Sequence, residues 1–217
     1  MAQVEGIFIS HEHSDHIAGL QQLLKRFDIP VYTKQGTWRE IQDKLVVPKN
    51  QLIELTKGSL TLGNLIVEPF AVSHDAADPI GINVFSGNDK ATVVTDTGII
   101  SDDILHRLDD STLLVLEANY DPHMLRFGPY QPFLKQRVAS DEGHLSNEMA
   151  AQALLMMKRP DFMQVILAHR SENNNNAVLV TQTIGKMLVD GGVRIGPEMK
   201  LQHGQPNEIV SMQSVKR

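Results

Sequence analysis

The sequence contains no cysteine. Disulfides and thiolate metal sites are therefore excluded, and any metal must be held by imidazole and carboxylate. No apolar run approaches the ~20 residues needed to span a bilayer, and the N-terminus lacks a basic segment followed by an apolar stretch and a cleavage site. A cytoplasmic protein with no membrane partner is the default expectation. Aromatics make up only 5% of the chain, with a single tryptophan. Basic residues are outnumbered, 20 Lys and Arg against 26 Asp and Glu, for a formal net charge of -6. That balance speaks against an extended basic surface for sequence-independent nucleic-acid binding, while leaving room for a local basic groove. What remains is ordinary globular material: 217 residues, 41% hydrophobic and 21% charged. This is enough to bury a full core, and residues 1–217 read as one domain.

Short apolar strands alternate with amphipathic helices. "VEGIFIS" (4–10) reads as a buried strand, after which Ile17, Leu20, Leu24 and Phe27 recur at helical spacing. "IPVYT" is a second strand and "TWREIQDKL" a short helix. The span 51–95 turns strand-rich, with "QLIELT", "LIVEPFAVS", "IGINVFS" and "ATVVT" separated by turns containing Gly, Asn or Asp. Helices are expected at about 101–108, 146–158 and 176–190, alternating with the strands "TLLVLEA" and "QVILAH". Mixed order of this kind implies a layered α/β arrangement.

At the first strand-to-helix junction stands "ISHEHSDHIAGL", with three histidines and an aspartate within six positions. On an extended segment side chains alternate, so His11 and His13 leave the same side and can share one ion. The chain then bends into a helix, aiming Asp15 and His16 elsewhere, as a second ion requires. The bland alternative is a polar turn with solvated histidines. Further nitrogen and oxygen donors end predicted strands: His74 closes "EPFAVSH", Asp96 closes "ATVVTD" and His169 closes "QVILAH". Strand ends are rigid places for a ligand. Taken singly, Asp96 could cap the loop before Ser101, and His74 or His169 could be hydrogen-bonded core histidines.

This ordered set resembles the metallo-β-lactamase superfamily, whose pattern is HxHxDH followed by a later His, Asp and His. The resemblance implies a four-layer αββα sandwich with two divalent metal ions at one edge. His11, His13 and His74 would hold one ion, Asp15, His16 and His169 the other, and Asp96 would bridge them. Such a pair of ions would lower the pKa of a bridging water to give hydroxide near neutral pH. Zinc is the first choice; imidazole and carboxylate also accept manganese or iron.

"LVLEANYD" (114–121) and "DEGHLSNEMAAQALL" (141–155) are similar to the loops of RNase Z-type phosphodiesterases that carry a Glu and a His. By that similarity Glu117 would orient His144, and His144 would act as general acid on the leaving alkoxide. The plainer readings are a salt-bridged strand-end carboxylate and a polar residue before a helix capped by Ser146 or Asn147. Six segments narrow the resemblance to the YycJ/WalJ family of bacterial metallo-hydrolases: "FISHEHSDHIAGL", "SHDAADPIGINV", "VVTDTGIIS", "LEANYDPHML", "GHLSNEMAA" and "LAHRSENNN". The resemblance implies a 5′-to-3′ exonuclease acting on double-stranded DNA. Two alternatives from other classes are an acyl hydrolase of the glyoxalase II or lactamase type, which has no evident need for the Glu117 and His144 pair, and an inactive binding protein. The family begins with a hairpin carrying "GSSGN" and "LVDAG" patterns, roughly 45 to 50 residues that amount to one supersecondary unit. This chain starts just before the metal motif, so a shortened version of the family is expected, with unpaired apolar sheet edges and weakened support behind the metal shell.

Lesser features complete the reading. "SENNNNAVLV" offers four asparagines that either line a substrate groove or end a loop in an Asn176 helix cap, and the cap is favoured. Arg170 either contacts a phosphate or is a surface charge. "MLRFGPYQPFLKQR" interleaves Arg126, Lys135 and Arg137 with Phe127, Tyr130 and Phe133, the composition of a nucleic-acid contact and equally of an ordered surface loop leading into a helix. His106, His123 and His203 lack supporting spacing and read as surface residues. Met156 and Met157 read as core.

Overall fold

A computed structural model describes residues 4–56, 58–205 and 208–211. Its strands form two sheets. A parallel three-stranded sheet has the order β1 (Ile7–Phe8), β2 (Val31–Thr33), β3 (Leu52–Glu54). Seven strands build the second: β4 (Leu60–Leu62), β5 (Leu65–Ala71), β6 (Ile80–Ser86), β7 (Asp89–Val94), β8 (Leu113–Glu117), β9 (Met163–Ala168) and β10 (Met199–His203). They lie side by side in sequence order, antiparallel from β4 to β7 and parallel from β7 to β10.

Side-chain alternation explains the layering. In the small sheet Ile7, Ile9 and Val31 point to one face, where they meet Ile17, Leu20 and Leu24 of α1 (Ser14–Ile17) and α2 (Leu20–Leu24), and Trp38 and Ile41 of α3 (Gln35–Gln42). Phe8 and Tyr32 point to the other face and stack with ring centroids 4.9 Å apart. There they pack on Ile80 and Ile82 of the large sheet. The large sheet's opposite face, with Phe70, Val94, Leu116 and Leu167, is covered by α4 (Asp102–Leu108), α7 (Asn147–Met156) and α8 (Ala177–Asp190). Between α4 and α7 a hairpin of two short helices, α5 (Pro122–Phe127) and α6 (Pro132–Val138), stands on its own small cluster of Tyr120, Leu125 and Val138. The order of layers is helices, sheet, sheet, helices, which is the expected αββα sandwich.

Several local expectations need correction. The helix after the metal motif is broken at Ala18–Gly19 into α1 and α2, and Phe27 lies beyond α2, exposed. Met157 is core, but its neighbour Met156 is exposed at the end of α7. Strands β4 and β10 and helix α5 are additions to the sequence reading. On the inner face of the large sheet, the row Ile82, Val93, Val115, Ile166 has Val93 exposed and Val115 and Ile166 half-buried. Among the described residues no helix is long and apolar enough to cross a membrane.

Candidate metal centre

The seven residues proposed as ligands converge where strands of both sheets end. Residues 11–16 leave β1 of the small sheet, while His74, Asp96 and His169 follow β5, β7 and β9 of the large one. Asp96 and His169 hold φ of 57° and 49°, in the left-handed region that side-chain-bearing residues seldom occupy. Each turns the chain sharply off its strand and lifts the side chain over the sheet end. Such conformations cost about 1–3 kcal/mol and cluster at functional sites.

The donors fall into two groups sharing a central carboxylate. His11, His13 and His74 bring their donor atoms together, with His13 Nδ1 3.3 Å from His74 Nε2. Asp15, His16 and His169 form the other: Asp15 Oδ2 is 3.6 Å from Nε2 of His16 and 3.6 Å from Nε2 of His169. Between them, Asp96 Oδ1 is 3.3 Å from His169 Nε2 and 3.8 Å from His74 Nε2, and Oδ2 is 3.4 Å from His16 Nε2. Around a tetrahedral ion with bonds of ~2.1 Å, neighbouring donors stand ~3.4 Å apart. The spacings fit, and two atoms demand a partner: His11 Nε2 and Asp96 Oδ2 are buried without any hydrogen bond. The donor set therefore fits divalent ions, with His11 1% exposed in the first group and the Asp15 side chain 65% exposed in the second.

The imidazoles of His11, His16, His74 and His169 are held from behind, which fixes the nitrogen left for the ion. Nδ1 of His74 donates to the carbonyls of Glu142 and Gly143, both at 3.1 Å. Nδ1 of His11 and of His16 share Ser10 Oγ at 3.1 and 3.3 Å. Glu12, pointing away between the two histidines, is buried and accepts from the Ala77 amide at 2.8 Å, pinning the motif to the loop after His74.

Glu117 does more than the sequence suggested. Its Oε1 accepts from Nδ1 of His144 at 2.8 Å and from Nδ1 of His169 at 2.7 Å, and Oε2 accepts from the amides of Leu145 at 3.1 Å and Thr97 at 3.3 Å. Asn119 adds a bond from Nδ2 to the His169 carbonyl at 2.8 Å. Glu117 and His144 also lie within ligand distance of Asp96 and His169. With both its oxygens taken by four donors, however, Glu117 is a support for the imidazoles rather than a ligand. Burial alone would raise its pKa, but the bonds and charge from His144 and His169 outweigh that and bring it down to about 2. Burial would likewise lower His169, yet Glu117, Asp96 and Asp15 together push it up to about 9, so this corner calls for positive charge. His11 goes the other way, down to about 3, through burial and then the neighbouring His16, His74 and His13. Neutral His11 keeps its lone pair for a metal.

The loop 139–144, carrying His144, is seated by close backbone approach. A Cβ on Gly98 would fall 2.3 Å from the Ser140 carbonyl oxygen and from the Asp141 backbone, and one on Gly143 would fall 2.3 Å from the carbonyl oxygens of Arg137 and Val138. Beside His144 and His169 opens a cleft of about 920 Å³, lined by Tyr130, Leu134 and Arg137 on one wall and Arg170 and Asn173 on the other.

The lesser candidates sort as follows. Asn176 caps α8, accepting from the Leu179 amide at 3.0 Å, and Ser146 caps α7 through the Met149 amide at 3.2 Å. Asn175 is buried and bonded to Ala118, Asn119 and Asn147, so most of the asparagine run is structural. His106 and His123 are exposed; His203 is half-buried on β10, bonded to Thr181 at 2.8 Å. Arg137 pairs with Asp75. Sequence reasoning missed Ser10, Glu12, Thr97 and Asn119, whose only signal was adjacency to the ligands.

Comparison with known proteins agrees with this geometry. The family description "Beta-lactamase superfamily domain" matches residues 1–169. The chain is 35% identical over 214 residues to "Exodeoxyribonuclease YycJ" of Bacillus anthracis, covering 98% of this chain and 81% of that one. To "Exodeoxyribonuclease WalJ" of Streptococcus pneumoniae it is 32% identical over 209 residues, 94% of this chain and 77% of the relative. In structure it resembles the metallo-β-lactamase fold protein YhfI of Bacillus subtilis, with a TM-score of 0.67 at 15% identity, over 93% of this chain and 75% of that one. Convergent donors at the sheet ends, the layered fold and identity along nearly the whole length lead to one assignment: the chain belongs to the metallo-β-lactamase superfamily of metallo-hydrolases, in its YycJ/WalJ family.

Proposed function

We propose that residues 1–217 act as one catalytic unit, a dinuclear metal-dependent phosphodiesterase that degrades duplex DNA from the 5′ end, in the cytoplasm. The named activity of the YycJ and WalJ relatives supports the substrate class. The observation that carries the reaction type is the bond from His144 Nδ1 to buried Glu117 at 2.8 Å. Cleaving a phosphodiester expels an alkoxide, which needs a proton; an acyl hydrolase using the same ions has no use for this pair. His11, His13 and His74 would hold one ion, Asp15, His16 and His169 the second, with Asp96 between them; when bound, two divalent ions supply an activated water and neutralise phosphate charge. Zinc suits three imidazoles in one group, with manganese or iron as substitutes.

The protein's own contribution is proton placement. The bond to Glu117 keeps Nδ1 of His144 committed to the carboxylate and fixes the orientation of the ring. Nε2, on the opposite side of a ring that lines the cleft, is then the atom that gives its proton to the leaving oxygen. Release of product leaves His144 to be reprotonated from solvent through the same open cleft.

His144→Ala tests this on end-labelled duplex DNA with metal content measured in parallel. Loss of the general acid should lower kcat by roughly 10²- to 10⁴-fold with the ions retained. An unchanged rate would sink the role of His144. Absence of degradation by the unmodified chain with any divalent ion would reject the nuclease reading itself.

A further inference from the structure

The hairpin of α5 and α6 has a face that its own packing does not use. Leu125, Leu134 and Val138 turn inward onto Tyr120 and Tyr130 packs partly against them, whereas Phe127 and Phe133 are 67% and 71% exposed. Exposed phenylalanines on a chain with so few aromatics call for an occupant. The surrounding charge says which kind. From 122 to 140 the sequence has three cations, three aromatic residues and no carboxylate, in a chain whose net charge is -6. The Arg126 guanidinium lies 5.3 Å from the Phe127 ring centroid, and Lys135 Nζ sits close by, donating to the Arg126 carbonyl at 2.9 Å. Asp75 neutralises Arg137, so Arg126 and Lys135 are the cations this face offers.

The same hairpin borders the route to the metal centre. Tyr130, between the two phenylalanines in sequence, lines the same cleft as His144 and His169, and its hydroxyl accepts from Asn173 across that cleft at 3.5 Å. Across from it Arg170 has a buried Nη1 with no hydrogen-bond partner, suited to a phosphate in the cleft. Aromatic faces bearing adjacent cations bind single strands by base stacking, whatever the sequence. A paired duplex end buries its base faces against its neighbours and offers them only at the terminal pair.

Resting on the nuclease reading above, we propose that Phe127, Tyr130 and Phe133, with Arg126 and Lys135, form a stacking platform for unpaired nucleotides of the strand being cut. The strand therefore enters the metal centre as single strand, and the substrate class is DNA with a frayed or overhanging end.

The test uses the whole chain and a fluorescent, phosphorothioate-linked oligothymidylate, read by anisotropy, together with the KM for duplexes with overhanging or blunt ends. Each stacked base is worth about 5- to 150-fold in affinity. Phe127→Ala with Phe133→Ala should weaken oligothymidylate binding, and raise KM for overhanging duplex, by about tenfold or more. Both side chains are exposed, so the unfolding midpoint and metal content should stay at the unmodified values. Leucine at both positions should bind as poorly as alanine, and tyrosine at both should restore binding, because only tyrosine keeps the ring faces. Leucine rescuing as well as tyrosine would overturn stacking in favour of a generic apolar contact, such as a protein partner. Unchanged affinity of the alanine pair would overturn the platform outright. The binding arm needs no turnover, so it reads the platform even if the unmodified chain cuts no DNA, an outcome that would remove the nuclease reading alone.

Discussion

Replacing Glu117 by glutamine preserves shape while removing the charge and one acceptor, and the structure fixes what must follow. Four donors surround the carboxylate: two imidazole Nδ1–H groups on Oε1 and two backbone amides on Oε2. A glutamine has one acceptor oxygen. If the oxygen faces the imidazoles, its NH₂ group meets the amides of Thr97 and Leu145; if it faces the amides, both imidazoles lose their acceptor. Either orientation leaves two buried donors unsatisfied at about 1–3 kcal/mol each, partly offset because a neutral side chain is easier to bury. A net loss of about 2–4 kcal/mol in stability is expected. Two functional consequences separate from it. Through His169 the support of a ligand is lost, which should weaken metal binding by roughly 10- to 100-fold. Through His144 the proton donor loses its orientation, costing roughly 10²- to 10⁴-fold in kcat at saturating metal. Chelator competition followed by elemental analysis measures the first, and single-turnover cleavage of end-labelled duplex at high metal the second. His144→Ala should show only the second. A glutamine variant that binds metal within about threefold of the unmodified affinity would refute the shared support of both histidines.

Two further outcomes follow from the same geometry. Because Asp15 is open to solvent while His11 is buried, a chelator should strip the ions in two phases, and Asp15→Asn should accelerate the fast phase about tenfold or more while leaving the slow one unchanged; a single phase, or an effect on both, contradicts the division into two groups. Gly98→Ala must push a Cβ into the backbone of Ser140 and Asp141, costing about 1–3 kcal/mol and lowering the midpoint of thermal unfolding by roughly 2–12 °C; a shift under about 1 °C would show that the loop carrying His144 is not seated as described.

The legible parts of this molecule are those where one physical rule acts on neighbouring residues. The apolar run "VEGIFIS" foretold a buried strand, and in the fold Ile7 and Ile9 meet helices while Phe8 meets the second sheet. Dense histidines at 11, 13 and 16, and apolar runs ending in His74, Asp96 and His169, announced a cluster, and the fold brings these side chains within reach of one another. What escaped depends on contacts remote in sequence. Nothing near Glu117 announces that one oxygen serves both His144 and His169, 27 and 52 residues away. Ser10 and Glu12 look like spacers until the fold brings a second imidazole and the Ala77 amide to them. Strand β10, "MKLQH", has too few apolar residues to stand out, and its pairing with β9 is what defines it. The break between α1 and α2 escaped because Ile17, Leu20 and Leu24 keep their common face across Gly19, so the hydrophobic pattern passes over a gap in the backbone bonds.

The donors are divided between the sheets, and this has an energetic consequence. Residues 11–16 belong to the small sheet, and His74, Asp96 and His169 to the large one, so the two groups exist only when the sheets are stacked in register. The stacking itself rests on a modest apolar cluster around Phe8, Tyr32, Ile80 and Ile82, with backbone ties from the Ile80 amide to the Ser10 carbonyl at 3.1 Å and from the Ala77 amide to Glu12. Against it work the left-handed backbone at Asp96 and His169 and, below about pH 6.5, the burial and the neighbouring histidines that drive His11 down to about 3. Bound ions would relieve that crowding, since imidazole lone pairs that repel one another can converge on a cation. Metal binding at these residues would then contribute folding energy to the sheet interface, because the site is absent from the unfolded chain. A substitution between the sheets, far from any ligand, should consequently appear as a loss of metal affinity before it appears as a loss of secondary structure.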